Sequence, residues 1–155
     1  VWDASILDIL NIKNNEEHII TDSDLNISNI PKDFLIILQN GLNKYPQYGK
    51  CGFSLQIDDL PDNELTKAAL SFELNYWKKP LDEMYFDAPI DTTFALYRVR
   101  FNTHVSIRTN VPYCAKHVPW YYTNFNDLPE DEKYYFNSVK SNATSYYSKI
   151  IIKMK

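Results

Sequence analysis

Short β-branched and aromatic runs interleaved with segments of helical period predict an α/β protein, a mixed sheet with helices packed against it. Three observations carry this expectation. Apolar strand-like runs recur at residues 17–21, 51–57, 84–86, 92–99 and 105–108. Helical spacing of apolar residues follows Pro31 and again follows Asp62. No repeat, low-complexity tract or linker interrupts the 155 residues, so one domain with one core is expected.

Taken in order, Trp2, Ile6, Ile9 and Leu10 fall at helical spacing from the first residues, which reads as the interior of a longer chain. Asn14 and Asn15 make a turn before the strand at 17–21, and Asp22-Ser23-Asp24 stands at that strand's end. Pro31 suits the first turn of a helix whose buried face is Phe34, Leu35, Ile37, Leu38 and Leu42. Gly41 near the helix end and Pro46 beyond it are consistent with its termination. The run 51–57 reads as one strand leading into Asp58-Asp59-Leu60-Pro61. A second helix spans 63–78, with Asp62 as its cap and Leu65, Ala69, Phe72 and Tyr76 facing inward. Residues 109–122 contain Pro112 and Pro119 and have no helical period, so they read as a loop. Pro129 opens a last helix, with Glu130, Asp131 and Glu132 at the positive end of its dipole. The chain ends apolar then basic, from Ile150 to Lys155.

Composition removes several classes. A formal charge of −4 argues against a nucleic-acid module, which ordinarily carries a basic stripe. No apolar run approaches the roughly 18 residues that cross a bilayer. Three glycines exclude a glycine-rich phosphate loop. Cys51 and Cys114 have neither disulfide-framework nor metal-cluster spacing, and reduced thiols in a cytoplasmic protein are expected. Lys116 and His117 beside Cys114 would lower its pKa. Aromatic residues reach 15%, twelve of them tyrosine, which suits either a ligand-stacking surface or a tyrosine-rich core.

Chemistry concentrates in four places. Asp22 and Asp24, one residue apart where a strand stops, can converge on a hard divalent cation such as Mn²⁺ or Mg²⁺ shared with phosphate oxygens. The same spacing also serves a solvated Asx turn. Asp91, among apolar residues at a strand edge, could act as a general base or could cap Thr93. Arg108, Lys116 and His117 lie on or beside the proline-bounded stretch, where they could fold over a phosphate or complete a metal shell. A structural histidine bonded to backbone is the alternative for His117. Trp120, Tyr121 and Tyr122 could form a platform for a sugar ring. Asp58 and Asp59 could bind acceptor hydroxyls or lie in a solvated turn.

Together, Ile19-Ile20-Thr21-Asp22-Ser23-Asp24-Leu25, Gly52-Phe53-Ser54-Leu55-Gln56-Ile57-Asp58-Asp59-Leu60-Pro61, the segment from Ile90 to Arg98, and Pro112 to Tyr121 with its His117-Val118-Pro119-Trp120 resemble bacterial and viral proteins related to family 2 glycosyltransferases. That resemblance implies the A-type glycosyltransferase fold. It also implies a UDP- or GDP-linked sugar donor, a Mn²⁺ or Mg²⁺ ion, and transfer of the sugar to a hydroxyl of a carbohydrate acceptor. By the same resemblance Asp22 and Asp24 match the metal and diphosphate motif, the segment holding Asp91 lines the acceptor side with Asp91 as base if the reaction inverts, and His117 lies in the loop that closes on donor phosphates, where it is expected to join the metal's ligands. Asp58, Asp59, Arg98, Arg108, Lys116, Trp120 and Tyr121 are the expected substrate-binding residues. In that fold the nucleotide is gripped by strands and helices ahead of the Asp-x-Asp, where this chain has few residues. The chain is therefore expected to be the C-terminal portion of such a domain, with an exposed sheet edge as an association surface. A non-catalytic carbohydrate- or nucleotide-binding relative, or a structural interaction domain, is the alternative.

Overall fold

The computed structural model describes residues 16–90, 94–98 and 105–138. The expected helix at 2–10, the basic end at 150–155 and Asp91 lie outside the described residues. Within them the chain is α/β, with mixed sheets flanked by helices.

The larger sheet has five strands: β1 (His18–Ile20), β3 (Lys50–Gly52), β5 (Tyr85–Asp87), β6 (Ala95–Tyr97) and β7 (Ser106–Thr109), in the order β1-β6-β3-β7-β5. Only β3 and β7 run parallel in it; the other pairs are antiparallel. A smaller sheet holds β2 (Leu25–Asn26), β8 (Cys114–His117) and β4 (Ser54–Leu55), with β8 in the middle. The run expected as one strand is two. The chain leaves the larger sheet after Gly52 and joins the smaller one at Ser54. The crossover residue, Phe53, is fully buried and stacks on Phe94 at 4.8 Å, so burial of its ring anchors the switch.

Helix α1 (Phe34–Lys44) packs on β3 and β6 with Leu38 and Leu42 fully buried. Pro31 lies ahead of the helix, in a turn closed by Phe34 N–H donating to its carbonyl. Gly41 lies in the last turn of the helix, near its end as expected, and its carbonyl accepts from the Tyr45 N–H that closes the helix. A Cβ there would stand 2.7 Å from Tyr85 Cε1 and 3.0 Å from Cys51 Sγ, so its lack of a side chain lets helix and sheet meet. Leu35, expected inward, is 40% exposed, at the margin of the buried stripe.

Helix α2 (Glu64–Glu73) is capped by Asn63 rather than Asp62. Asn63 and Thr66 exchange side-chain and backbone hydrogen bonds in a capping box, while Asp62 pairs with Lys67 on the surface. The helix is shorter than expected, giving way to a 3₁₀ turn, Leu74–Trp77. Its inward face is also different. Thr66 and Glu73, seven positions apart, are buried, whereas Phe72 is 63% exposed and meets Tyr76 edge-on. The Leu65 side chain lies outside those described. Helix α3 (Glu130–Ser138) opens with its acids in the first turn, as expected. Among the described residues no helix is long and apolar enough to cross a membrane.

Candidate functional site

The expected loop at 109–122 holds a strand instead. Tyr113 N–H donates to the Asn110 carbonyl in a tight turn, after which β8 pairs antiparallel with β2 and parallel with β4. Prolines flank this strand without entering it, and its Lys116-His117 end is polar, which hides it from a hydrophobicity pattern. Beyond it, Val118–Tyr121 forms a 3₁₀ turn started by Pro119.

This geometry brings two of the three expected metal ligands together. The turn after β1 delivers Asp24 to the register where Leu25 pairs with His117. Val118 N–H donates to the Asp24 carbonyl oxygen at 2.9 Å, and His117 Nε2 lies 3.2 Å from Asp24 Oδ2. The hydrogen bond with His117 is the largest influence on the Asp24 carboxyl. Together with the imidazole's charge it outweighs partial burial and holds the pKa below the usual carboxylate range. Asp24 Oδ1 is buried with no hydrogen-bond partner among the described residues. Asp22 sits half-buried in the same turn, its carbonyl accepting from Thr21 Oγ1.

A neutral imidazole nitrogen and a carboxylate facing each other at this distance are two Lewis bases, bridged by a proton or by a cation. No group of three or more His, Cys, Asp or Glu side chains able to hold a metal occurs among the described residues. A Mg²⁺ or Mn²⁺ ion shared with a substrate commonly takes one or two carboxylates and completes its shell with phosphate and water, and the Asp24 and Asp22 carboxylates are the groups here that could serve it, with His117 beside them.

The next ring of groups is aromatic and charged. Trp120 tilts against the His117 imidazole with ring centroids 4.7 Å apart. Lys116, on the opposite face of β8 from His117, pairs with Asp59 Oδ2, and Tyr121 Oη donates to Asp59 Oδ1 at 2.7 Å. Both Asp59 oxygens thus meet this chain's own donors. Burial raises the Asp59 pKa, but the bonds from Lys116 and Tyr121 prevail and leave it lowered. Asp58 is exposed beside it. Two carboxylates unforeseen at the site are Glu73 and Glu132. Burial raises the Glu132 pKa, the charges of Asp24 and Asp131 add to that, and His117 opposes it, so the first turn of α3 borders the pair. Glu73 is raised by burial against the lowering influence of Arg108 and His117.

Arg108 does not reach a phosphate loop. It is 3% exposed inside β7, where Nη1 meets Glu73 at 2.9 Å, Nε donates to the Pro89 carbonyl, and the guanidinium lies 4.1 Å from the Tyr76 ring centre. With it, Ser106 Oγ donates to the Ala88 carbonyl and buried Lys50 Nζ to that of Ile90. Three consecutive carbonyls are therefore each held by a buried side chain, immediately before Asp91. Arg98 instead serves the end of α1, donating to the Leu42 carbonyl at 2.8 Å and to Asn43 Oδ1 at 2.6 Å. Cys114 is not activated. Burial, with a smaller contribution from the Asp58 charge, pushes its thiol up to about 12.

The chain matches no family model, no curated protein and no solved structure. The functional reading therefore rests on the geometry around Asp24 and His117 and on the sequence resemblance.

Proposed function

We propose that this chain is the metal-using portion of a glycosyltransferase that moves a sugar from a nucleoside-diphosphate donor to a carbohydrate hydroxyl. The observation that carries the reading is the 3.2 Å approach of His117 Nε2 to Asp24 Oδ2, a pair 93 positions apart in the sequence that the pairing of β2 with β8 draws together. Asp24, His117 and Asp22 are the proposed ligands of Mn²⁺ or Mg²⁺. Bound there, the ion would offset negative charge on the departing diphosphate.

The chain's own residues supply the rest. Asp24, held ionised below the usual carboxylate range, remains a base toward cations at neutral pH. Trp120 buttresses the imidazole and offers apolar ring surface for a sugar. Asp91 is the proposed base for the acceptor hydroxyl. In this scheme Arg108 acts structurally, because its charge is already paired and buried.

Calorimetric titration with Mn²⁺ and Mg²⁺, together with assay of sugar release from UDP- and GDP-linked donors, tests the proposal. Asp24→Asn and His117→Ala should each weaken Mn²⁺ binding by at least about tenfold, a loss typical even of groups that merely orient a ligand. A wild-type chain that binds neither cation rejects the reading. Cation and donor binding without sugar release would instead favour a non-catalytic binding relative.

A further inference from the structure

The segment carrying His117 and Trp120 is tied at both ends to one carboxylate. Lys116 precedes His117, Tyr121 follows Trp120, and the two side chains grip opposite oxygens of Asp59. The Lys116 ammonium also lies over the Tyr121 ring, 5.0 Å from its centre, so the three side chains close on one another. Asp59 is itself anchored. It follows β4, which pairs with β8, and Gln56 N–H extends that pairing by donating to the Ala115 carbonyl at 2.8 Å.

We propose that Asp59 is a positioning residue: it clamps residues 116 and 121 and thereby sets where His117 and Trp120 stand relative to Asp24. The turn it clamps is also held by the Val118 N–H bond to the Asp24 carbonyl, by burial of Pro119 and by packing of Trp120 against the core, and the clamp joins its two ends. Val118–Tyr121 is a single 3₁₀ turn whose first position has no side-chain cap, and 3₁₀ hydrogen bonds have poor geometry. The tether and the imidazole leave β8 on opposite faces, so Asp59 acts on His117 through the backbone and not by contact. Asp59 stays ionised because Lys116 and Tyr121 together outweigh its partial burial, so the clamp is closed at neutral pH. A carboxylate expected to bind acceptor hydroxyls is in this way a brace for the opposite face of the strand.

The clamp is defined by ring positions in this chain alone, and only its consequence for metal binding rests on the function proposed above. The test therefore has two readouts. The first is the ¹H–¹³C spectrum of the His117 ring, whose signals feel the ring current of Trp120 and are assigned by their loss in His117→Gln. The second is the Kd for Mn²⁺. Asp59→Ala and Tyr121→Phe should both move the His117 signals toward those of an unstacked imidazole, with Asp59→Glu partly restoring them. Both should also weaken Mn²⁺ binding by about tenfold, as loss of an orienting group does. Tyr121→Phe removes a single hydroxyl and keeps the comparison available if Asp59→Ala does not fold. His117 signals at wild-type positions in the folded variants overturn the clamp. Displaced signals in a chain that binds no Mn²⁺ uphold the clamp and reject the metal reading instead.

Discussion

Two carboxylate–cation contacts in this molecule look alike in outline and differ in what surrounds them. Arg108 and Glu73 join β7 to the end of α2 with 3% and 5% of their side chains exposed. Lys116 and Asp59 join β8 to the chain beyond β4 with 26% and 37% exposed. In the first, the side chains are shielded from solvent, so each charge depends on its partner, and Arg108 also on the Pro89 carbonyl and Tyr76 ring. In the second, water can solvate either charge when the pair opens, and the contact adds little to global stability. The buried pair is therefore a condition of the fold, whereas the exposed pair is free to be a local device. The difference is one of desolvation rather than of residue type.

The largest effect should come from breaking the buried pair. Arg108→Met leaves Glu73 buried without its partner and should lower unfolding free energy by about 3–5 kcal/mol, read from the urea midpoint. Adding Glu73→Leu to that variant should recover much of the loss, because two apolar side chains need no mutual charge; a double variant no more stable than the single one contradicts this account. Removing the cap of the helix that delivers Glu73, by Asn63→Ala, should cost about 1 kcal/mol. Asp59→Asn should change stability by at most about 1 kcal/mol in the same titration, even while it displaces His117.

The pH dependence should have opposite signs at Glu73 and at Asp24. Glu73 has a pKa raised above its ordinary 4.5 by burial, so its folded state favours the proton. Stability relative to Glu73→Gln should accordingly fall as pH rises from 4.5 through the raised value. Asp24 has a pKa lowered from 3.8 by its bond with His117. Its contribution is fully present above 3.8 and should disappear as pH falls through the lowered value, an advantage that Asp24→Asn would lack at every pH. Unfolding titrations of both variants across that acid range would show slopes of the same sign if the two environments were equivalent.

Why some of this could be read from the chain and some could not follows from particular residues. The helix that became α1 is legible because Phe34, Leu38 and Leu42 repeat on one face, and one face is what a sheet buries. Helix α2 misleads the same rule. Its most conspicuous aromatic, Phe72, points outward, while the buried Glu73 has its reason in Arg108 on a distant strand. Gly41 is placed near the helix end by local sequence, but its second reason is not, because local sequence does not contain the Tyr85 ring that excludes a Cβ there. Strand β8 is invisible locally because its paired neighbours, and not its own pattern, make it a strand. At the candidate site, Asp24 and His117 could each be singled out from their sequence surroundings, and so could Lys116, Asp59, Trp120 and Tyr121. That Asp59 faces Lys116 and Tyr121, and that Glu132 comes near Asp24, had no local signal.

The amino-acid sequence by itself determined the α/β class, the positions of most strands, and the residue types from which a cation site can be assembled. Those properties depend on periodicity and side-chain chemistry, which neighbours along the chain already express. Only the tertiary structure decided that Arg108 is buried against Glu73, that His117 Nε2 stands 3.2 Å from Asp24 Oδ2, and that Asp59 braces the turn carrying His117 and the aromatic residues. Each of those outcomes depends on which groups lose water together, and desolvation is a property of the packed molecule and of no single segment.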